Sequence, residues 1–429
     1  MNYSDPANLA VIACPGGEVF ADEVIVHLKK GYRRNIEKLA AELSRRYSME
    51  SAEVIKRINF INEIVSFAPH PHGNGEKFST PRFKVPARFT CFANGEVKAE
   101  ILESIRGKDI YIIQDVENHY PVNFCGDTKK VLSVNDHLMM IFVTVDAARQ
   151  AGAQRVTVVL PIFPYSRQHK AKGREGLTAS RIGKMLENLG VNHVITLDIH
   201  SRDIVNAFTG MRLENLHASY QIIRTLSKMA GILNDDFVVV SPDTGAVDRN
   251  KFFATTLKKP LALLYKERDY SRISKDAADN NIAEIKLLGN VQGKTAFMAD
   301  DMLGTGGTLL KGMKILKDNG ASRVICSISH PLFSGDALSY FDQAYKDGLF
   351  YRIIGTNAIY QEEVLKREWY ISVNITSLFA QIISRLHQHL SLSSLLDNRE
   401  IINRLLQDNP QITPTGDQGG SNENNPPAG

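Results

Sequence analysis

The chain has 429 residues, of which 43% are hydrophobic and 23% charged, and its formal net charge is +4. This length is sufficient for two α/β domains with buried sheets, whereas so small a net charge favours neither nucleic acid nor a membrane as a partner. The four cysteines form no CxxC pair and no apolar run is long enough to span a bilayer, so we expect a cytoplasmic protein with reduced thiols.

The N-terminal region begins with an apolar strand at residues 9–13 and a Pro-Gly-Gly turn. Apolar side chains then recur at helical spacing between Tyr32 and Val65, which predicts two amphipathic helices in an insertion of about residues 32–67. A proline- and glycine-rich loop with His70 and His72 follows. We expect these two histidines to face solvent rather than to bind a metal ion.

Strand and helix signals alternate up to residue 216 and predict an N-terminal domain with a parallel sheet. The predicted strands include residues 109–115, 155–163 and 193–199, and the predicted helices are residues 131–151 and 179–189. Four basic residues follow the second of these strands, at the edge where open α/β sheets bind ligands, and they indicate either a polyphosphate site or a solvated loop. They are Arg167, Lys170, Lys172 and Arg174. Asp198 and His200 close the third strand, and we expect one of the two to face the cleft.

The same alternation predicts a second parallel sheet in residues 217–384. Its predicted strands are residues 237–243, 261–266, 294–301, 323–330, 352–357 and 369–375. Asp243, Lys266, Asp300 and Asn357 lie at or just past strand ends, so we expect them to converge on one edge. Residues 385–410 read as a helical extension that packs on the first domain, and residues 411–429 as a disordered tail.

Residues 294–310 (KTAFMADDMLGTGGTLL) combine a buried strand, two carboxylates and a glycine-threonine loop that opens a helix. The backbone N–H groups and hydroxyls of such a loop, together with the positive end of the helix, favour a phosphate group. Asp300 and Asp301 suit vicinal sugar hydroxyls or a hydrated cation. An ordinary βα turn with solvated acids is the alternative, and the spacing alone does not decide between them.

Seven motifs occur in a fixed order: FANGE, PYSRQ, DIH, SPDTGAVDR, YKER, ADDMLGTGGT and SISHPLFSG. In this series the chain resembles the ribose-phosphate pyrophosphokinase (phosphoribosyl pyrophosphate synthetase) family, from about Phe89 to Leu395. The resemblance implies an α/β protein with two tandem phosphoribosyltransferase-like domains, each with a mostly parallel central sheet flanked by helices. It also implies transfer of the pyrophosphoryl group of ATP to the C1 hydroxyl of ribose 5-phosphate. The glycine loop alone would also suit a type I phosphoribosyltransferase, but the upstream motifs favour the kinase.

The resemblance assigns roles residue by residue, and it implies a homo-oligomer because the family builds its ATP sites from neighbouring subunits. The residues implied for ATP are Phe92, Asn94, Gly95, Glu96, Arg167 and Gln168. Those implied for ribose 5-phosphate are Asp300, Asp301, Gly304, Thr305, Gly306, Gly307 and Thr308. His200 and Asp243 would hold Mg²⁺, and Lys266 and Arg268 would be catalytic, clamping the transferring group.

The chain departs from the family pattern at several positions. Asn94, His169 and Gly304 stand where the family usually has an acid, Ala246 replaces a glycine, and Glu267 replaces an arginine. The residues assigned to the core chemistry are retained, so an active synthetase is the first hypothesis. The departures motivate the alternative, a catalytically reduced regulatory subunit that associates with an active synthetase.

Overall fold

The structure, a computed structural model, describes residues 8–66, 80–124, 129–171, 173–229, 232–233, 236–268 and 282–408. The tail at residues 411–429 and the loop with His70 and His72 lie outside these ranges. Within them, no helix is both long and apolar enough to cross a bilayer. The described residues form two α/β units, each built on a central sheet.

The first unit has a five-stranded, entirely parallel sheet in the order β1-β4-β7-β8-β9. Its elements are β1 (Leu9–Ala13), α1 (Glu18–Tyr47), α2 (Ser51–Ser66), β2 (Ala87–Cys91), β3 (Val97–Ile101), β4 (Asp109–Ile113), β5 (Val122–Asn123), β6 (Lys129–Lys130), α3 (Val134–Gln150), β7 (Arg155–Val159), α4 (Thr178–Asn188), β8 (His193–Leu197), a short 3-10 helix (Arg202–Ala207) and β9 (Arg212–Leu216). The central strands β4 and β7 are buried over almost their whole length and are mostly apolar after their first residue, because helices cover both faces of a parallel sheet.

The second unit has a seven-stranded sheet in the order β12-β11-β10-β13-β14-β15-β16. Its elements are α5 (Ser219–Lys228), β10 (Phe237–Ser241), α6 (Val247–Leu257), β11 (Leu261–Arg268), β12 (Ile282–Leu288), β13 (Thr295–Leu303), α7 (Gly307–Asp318), β14 (Arg323–Pro331), α8 (Ala337–Lys346), β15 (Arg352–Thr356), a 3-10 turn (Val364–Lys366), β16 (Tyr370–Val373), α9 (Thr376–His387), α10 (Ser393–Leu396) and α11 (Arg399–Gln407). Among these described strands, β12 pairs antiparallel with β11 and the others pair in parallel.

The first helix begins earlier than the sequence predicts. It starts at Glu18 rather than near Tyr32 and continues to Tyr47 as one helix. The reason is a continuous buried stripe that runs from Phe20 to Ala40, so the residues before Tyr32 already have helical periodicity. The second helix begins at Ser51.

Six strands are absent from the sequence prediction: the four that form the two small sheets β2-β3 and β5-β6, and one edge strand of each central sheet. β9 contains Arg212, Glu214 and Asn215 and forms an outer strand of the first sheet, where one side of the ladder is open and polar residues are tolerated. β12 is the antiparallel edge of the second sheet, and partly buried and exposed residues alternate from Ile285 to Leu288. The sequence patterns of β9 and β12 are therefore weaker strand signals than the apolar runs of the central strands.

The helix α9, most of which precedes the predicted extension at residues 385–410, packs on the first unit. The ring of Phe379 lies 5.1 Å from that of Phe20 on α1, and His387 at the end of α9 lies 3.0 Å from the Asp109 carboxylate on β4. A second link joins the two units near the sheet ends, where His330 Nε2 lies 3.0 Å from the carbonyl oxygen of Leu197. The His330 contact joins the carboxyl ends of β8 and β14.

Candidate active site

A cleft of about 1400 Å³ opens where strand ends of the two units meet. The ends of β8 and β9 line one side, and the ends of β10, β13 and β14 line the other. Ligands of open α/β sheets bind at the carboxyl ends of strands, since side chains and helix N-termini from several connections converge there. Of the four residues predicted to converge, Asp243 and Asp300 line this cleft. Asn357 does not line it and instead donates to Glu23 on α1 at 3.1 Å, and the side chain of Lys266 lies outside the described part of the structure.

The loop between β13 and α7 forms one end of the cleft. Gly306 has φ +77°, which an L-residue adopts only with strain, and a Cβ there would overlap the Phe341 ring. α7 begins at the next residue, and its first N–H groups have no acceptor within the helix. Thr305, Gly307 and Thr308 are exposed. The loop therefore presents N–H groups, hydroxyls and the positive end of a helix, a combination that suits a phosphate group.

Asp300 and Asp301 precede this loop on β13 and differ in their surroundings. Asp301 Oδ2 lies 2.5 Å from His200 Nδ1 on the opposite side of the cleft, and its backbone N–H donates to Asp300 Oδ1 at 2.9 Å. Burial and the neighbouring Asp301 charge raise the pKa of Asp300 to about 7. Burial also acts on Asp301, but the hydrogen bond from His200 and the positive charge of Arg249 outweigh it and hold the pKa of Asp301 well below its usual range. The pair thus carries one firmly ionised carboxylate.

Asp198 is buried at the end of β8 and links the two units. Its carboxylate accepts a hydrogen bond from Ser329 Oγ at 2.6 Å, lies 2.8 Å from His217 Nδ1, and forms an ion pair with Arg249 at 3.5 Å. Burial opposes its ionisation, but Arg249, His217 and Ser329 together hold the pKa of Asp198 well below its usual range. Asp198 therefore stays charged and ties β8 to β14 and α6.

The expectation that only one of Asp198 and His200 would face the cleft is wrong. Both line it. β8 ends at Leu197 and Asp198 has φ +39°, so both residues lie beyond the regular strand, in the connection that borders the cleft. The buried Asp198 carboxylate bonds to His217, whereas the His200 side chain is a third exposed and contacts Asp301 of the second unit.

Asp243 lies in the turn between β10 and α6. Its Oδ1 accepts the backbone N–H groups of Gly245 and Ala246, both at 3.0 Å, which orders the first turn of α6 around the carboxylate. Among the residues that the structure describes, no three His, Cys, Asp or Glu side chains are grouped so as to hold a metal ion by themselves. His200 and Asp243 both line the cleft, but a metal site here would need ligands from a substrate or water as well.

The other predicted site residues are distributed unevenly. Arg167 and its neighbours His169 and Lys170 line the cleft, whereas Gln168 is exposed beside it. Phe92, Asn94, Gly95 and Glu96 form the exposed turn of the β2–β3 hairpin and do not line the cleft within this chain. The backbone of Lys266 and Arg268 belongs to β11, and their side chains lie outside the described part of the structure.

Sequence reasoning missed several residues that shape the cleft, among them Arg249, Ser329, Asn250 and Asn398. Asn398 donates to the carbonyl oxygen of His217 at 3.0 Å and thereby brings the start of α11 to the cleft wall. A signal did exist for Arg249 and Ser329, because both belong to motifs already noted, SPDTGAVDR and SISHPLFSG. For Asn250 and Asn398 the sequence holds no comparable signal.

Comparisons with known proteins agree with this geometry. The family model for the N-terminal domain of ribose phosphate pyrophosphokinase matches residues 81–190, and the model for a phosphoribosyl transferase domain matches residues 212–358. A ribose-phosphate pyrophosphokinase 2 of Enterococcus faecalis is 34% identical over 312 residues, 72% of this chain and 88% of that protein. One of Schizosaccharomyces pombe is 33% identical over 306 residues, 71% and 87% of the two chains.

The fold has a counterpart among solved structures. The phosphoribosylpyrophosphate synthetase from Mycobacterium smegmatis superimposes with a TM-score of 0.64 at 23% identity, over 89% of this chain and 99% of that one. The two phosphoribosyltransferase-like domains that the resemblance implied are therefore confirmed. The domain boundaries at residues 216 and 384 stay predictions.

Proposed function

The chain belongs to the ribose-phosphate pyrophosphokinase family, and from this premise we propose that its cleft transfers the pyrophosphoryl group of ATP to ribose 5-phosphate. The C1 hydroxyl oxygen attacks the β-phosphorus, the bond from that phosphorus to the α-phosphate oxygen breaks, and the hydroxyl loses its proton. Phosphoribosyl pyrophosphate and AMP are the products. The observation that carries this proposal is the carboxylate pair Asp300 and Asp301, followed at once by the N-terminus of α7.

Ribose 5-phosphate fits this pair of subsites by its chemistry. The sugar hydroxyls donate hydrogen bonds to the carboxylates, while the 5-phosphate accepts them from the loop at residues 304–308 and benefits from the helix dipole. His200 orients Asp301 through the 2.5 Å contact. Asp300, with its pKa raised to about 7, can accept or donate near neutral pH.

His200 and Asp243 are suited to bind Mg²⁺ because of the orientation and chemistry of their side chains. With the proton of His200 on Nδ1, directed at Asp301, the lone pair of Nε2 is free to bind a cation, an arrangement common in metal sites. Asp243 supplies the hard oxygen ligand that Mg²⁺ prefers, and substrate phosphates usually complete its shell. The bound cation would neutralise charge on the triphosphate. These two residues would hold it there.

Three cations are assigned to the transferring group and the nucleotide phosphates. Arg167 lines the cleft opposite the glycine loop, with Nη1 3.9 Å from where a Cβ on Gly304 would lie. Lys266 and Arg268 belong to the last three residues of β11, which pairs with β10 in the sheet, and their role is inferred from sequence alone. Fixed positive charges stabilise the charge that spreads over the phosphoryl oxygens in the transition state.

The position of the β2–β3 hairpin supports a homo-oligomer. Phe92 is 48% exposed, and none of the four hairpin residues assigned to ATP lines the cleft of its own chain. If they bind adenine and ribose of ATP, they do so in the cleft of a neighbouring copy. The cytoplasmic location expected from the sequence stays a prediction.

The activity is tested by measuring AMP formed from ATP and ribose 5-phosphate by the purified chain with Mg²⁺. We expect turnover in the wild type, and a loss of roughly a hundredfold or more in kcat/KM for Asp301→Ala, since a charge-assisted contact and its orientation are both removed. A wild-type protein without turnover in the presence of Mg²⁺ and inorganic phosphate would refute the proposal and favour the regulatory-subunit alternative.

Shared sites are tested by mixing two inactive variants, one with Asn94→Ala and Glu96→Ala and one with Asp300→Ala. If each ATP site combines the hairpin of one copy with the cleft of another, co-expressed variants regain part of the activity because some clefts receive an intact hairpin. A mixture as inactive as its components would exclude shared sites.

A further inference from the structure

Asn250 lies on α6, is fully buried, and hydrogen-bonds to the backbone of Ala299 on β13. Its Nδ2 donates to the carbonyl oxygen of Ala299 at 2.8 Å, and its Oδ1 accepts the N–H of the same residue at 2.9 Å. Nδ2 also donates to the carbonyl oxygen of Ala246 at 2.9 Å. One carboxamide thus satisfies both backbone groups of the residue that immediately precedes Asp300.

The end of the neighbouring strand explains why an amide is needed there. The parallel register between β10 and β13 stops at the pair Val240–Met298, because β10 ends at Ser241 and turns into the Asp243 loop. The N–H and C=O groups of a strand residue point to the same side, so those of Ala299 face the end of β10. The residue after β10 that would donate to the Ala299 carbonyl oxygen is Pro242, which has no N–H group. Ala299 is buried, and an unpaired carbonyl oxygen there would be costly. Asn250 Nδ2 supplies the missing donor, and its Oδ1 accepts the Ala299 N–H.

We propose that Asn250 is a positioning residue for ribose 5-phosphate binding, acting through Asp300 and Asp301. Because Asn250 bonds to both backbone groups of Ala299, it fixes the position and direction of the backbone at the next two residues. Their carboxylates are the proposed ligands of the ribose hydroxyls. The bond to Ala246 couples this position to the first turn of α6, which also orders Asp243. The inference rests on the proposed function, since it takes the ribose hydroxyls as the ligand of the aspartate pair.

Only a carboxamide of this length supplies a donor and an acceptor in the required places. An aspartate at this position would turn a carboxylate oxygen toward the carbonyl oxygens of Ala299 and Ala246, replacing two attractive contacts by repulsive ones. A serine would leave both groups of Ala299 without the bidentate partner. In either variant the backbone of β13 loses these hydrogen bonds at the residue that immediately precedes Asp300 and Asp301.

The test compares Asn250→Asp with a matched control, Asn118→Asp. Asn118 is also buried and also joins two backbone groups, donating to Gly16 O at 2.9 Å and accepting from Tyr120 N at 2.9 Å, but it does not line the cleft. We expect Asn250→Asp to raise the KM for ribose 5-phosphate roughly tenfold or more, while the KM for ATP changes less than about threefold. Asn118→Asp should alter stability without separating the two KM values.

Binding of ribose 5-phosphate alone, measured by titration calorimetry, gives a second readout that does not depend on turnover. If Asn250→Asp fails to fold, Asn250→Ser is measured in its place, and failure of both to fold overturns the proposal in favour of a purely structural role. Equal changes in both KM values, or no change, also overturn it. A wild type that turns over while Asn250→Asp behaves like Asn118→Asp refutes this inference alone, whereas an inactive wild type refutes the proposed function.

Discussion

Replacing Gly306 by alanine should destabilise the second domain and weaken ribose 5-phosphate binding at the same time. Its φ of +77° costs an L-residue about 1 kcal/mol. The added Cβ would overlap Cε2 of Phe341 and lie 3.0 Å from its Cζ. Phe341 cannot withdraw easily, because it is fully buried with ring centroids of Phe333, Phe350 and Trp369 at 5.7, 5.8 and 5.9 Å. Overpacking of this kind costs about 1–3 kcal/mol, so we expect a total loss of roughly 2–4 kcal/mol.

The free energy of unfolding is measured by urea denaturation, alongside the KM for ribose 5-phosphate. Gly31→Ala is the control, since an added Cβ meets nothing within 4 Å at this position in the middle of α1. It should stabilise the protein by about 1 kcal/mol through helix propensity and leave both KM values unchanged. A Gly306→Ala protein with the wild-type unfolding midpoint and slope would show that the loop and Phe341 accommodate the methyl group, and the reasoning would be wrong.

Two further predictions concern the first domain. Asp109 is buried on β4 and bound by Arg155 and His387, so Asp109→Ala should cost about 3 kcal/mol in a denaturant titration, because the partly buried guanidinium of Arg155 and the buried His387 lose their carboxylate partner. Glu400→Ala, which breaks an exposed pair on α11, should cost less than about 1 kcal/mol. Equal losses in the two variants would contradict this. Burial raises the pKa of Asp115 from 3.8 to about 7, so the folded state retains a proton that the unfolded state has released, and this contribution to stability is lost as pH rises from about 4 to 7. The unfolding free energy of Asp115→Asn minus that of the wild type should therefore increase between pH 5 and 8, by roughly 2–3 kcal/mol, and a difference independent of pH would refute the assignment.

The architecture could be predicted from the sequence where one physical signal dominated. Apolar runs such as those of β4 and β7, buried on both faces, admit few interpretations other than central parallel strands. The edge strands β9 and β12 were missed because an edge position relaxes the requirement for apolar residues. The start of α1 was misplaced because a continuous apolar stripe was divided at Tyr32.

The candidate site was predictable to the extent that its residues follow strand ends. Asp243, Asp300 and His200 occupy such positions, and the structure brings them to one cleft. The hairpin with Phe92 and Asn94 is predicted to belong to the same site, but within one chain it does not line the cleft.

The sequence by itself determined the alternation of strands and helices, the order of the motifs and the carboxylate pair before the glycine loop. These are local features, written in contiguous residues and in the period of their apolar side chains. The tertiary structure alone decided that His200 binds Asp301, that Asp198 is held by Arg249 and Ser329, and that Asn250 completes the β13 ladder. The reason is that each of these contacts joins residues from different elements, whose distance depends on how the sheets and helices pack.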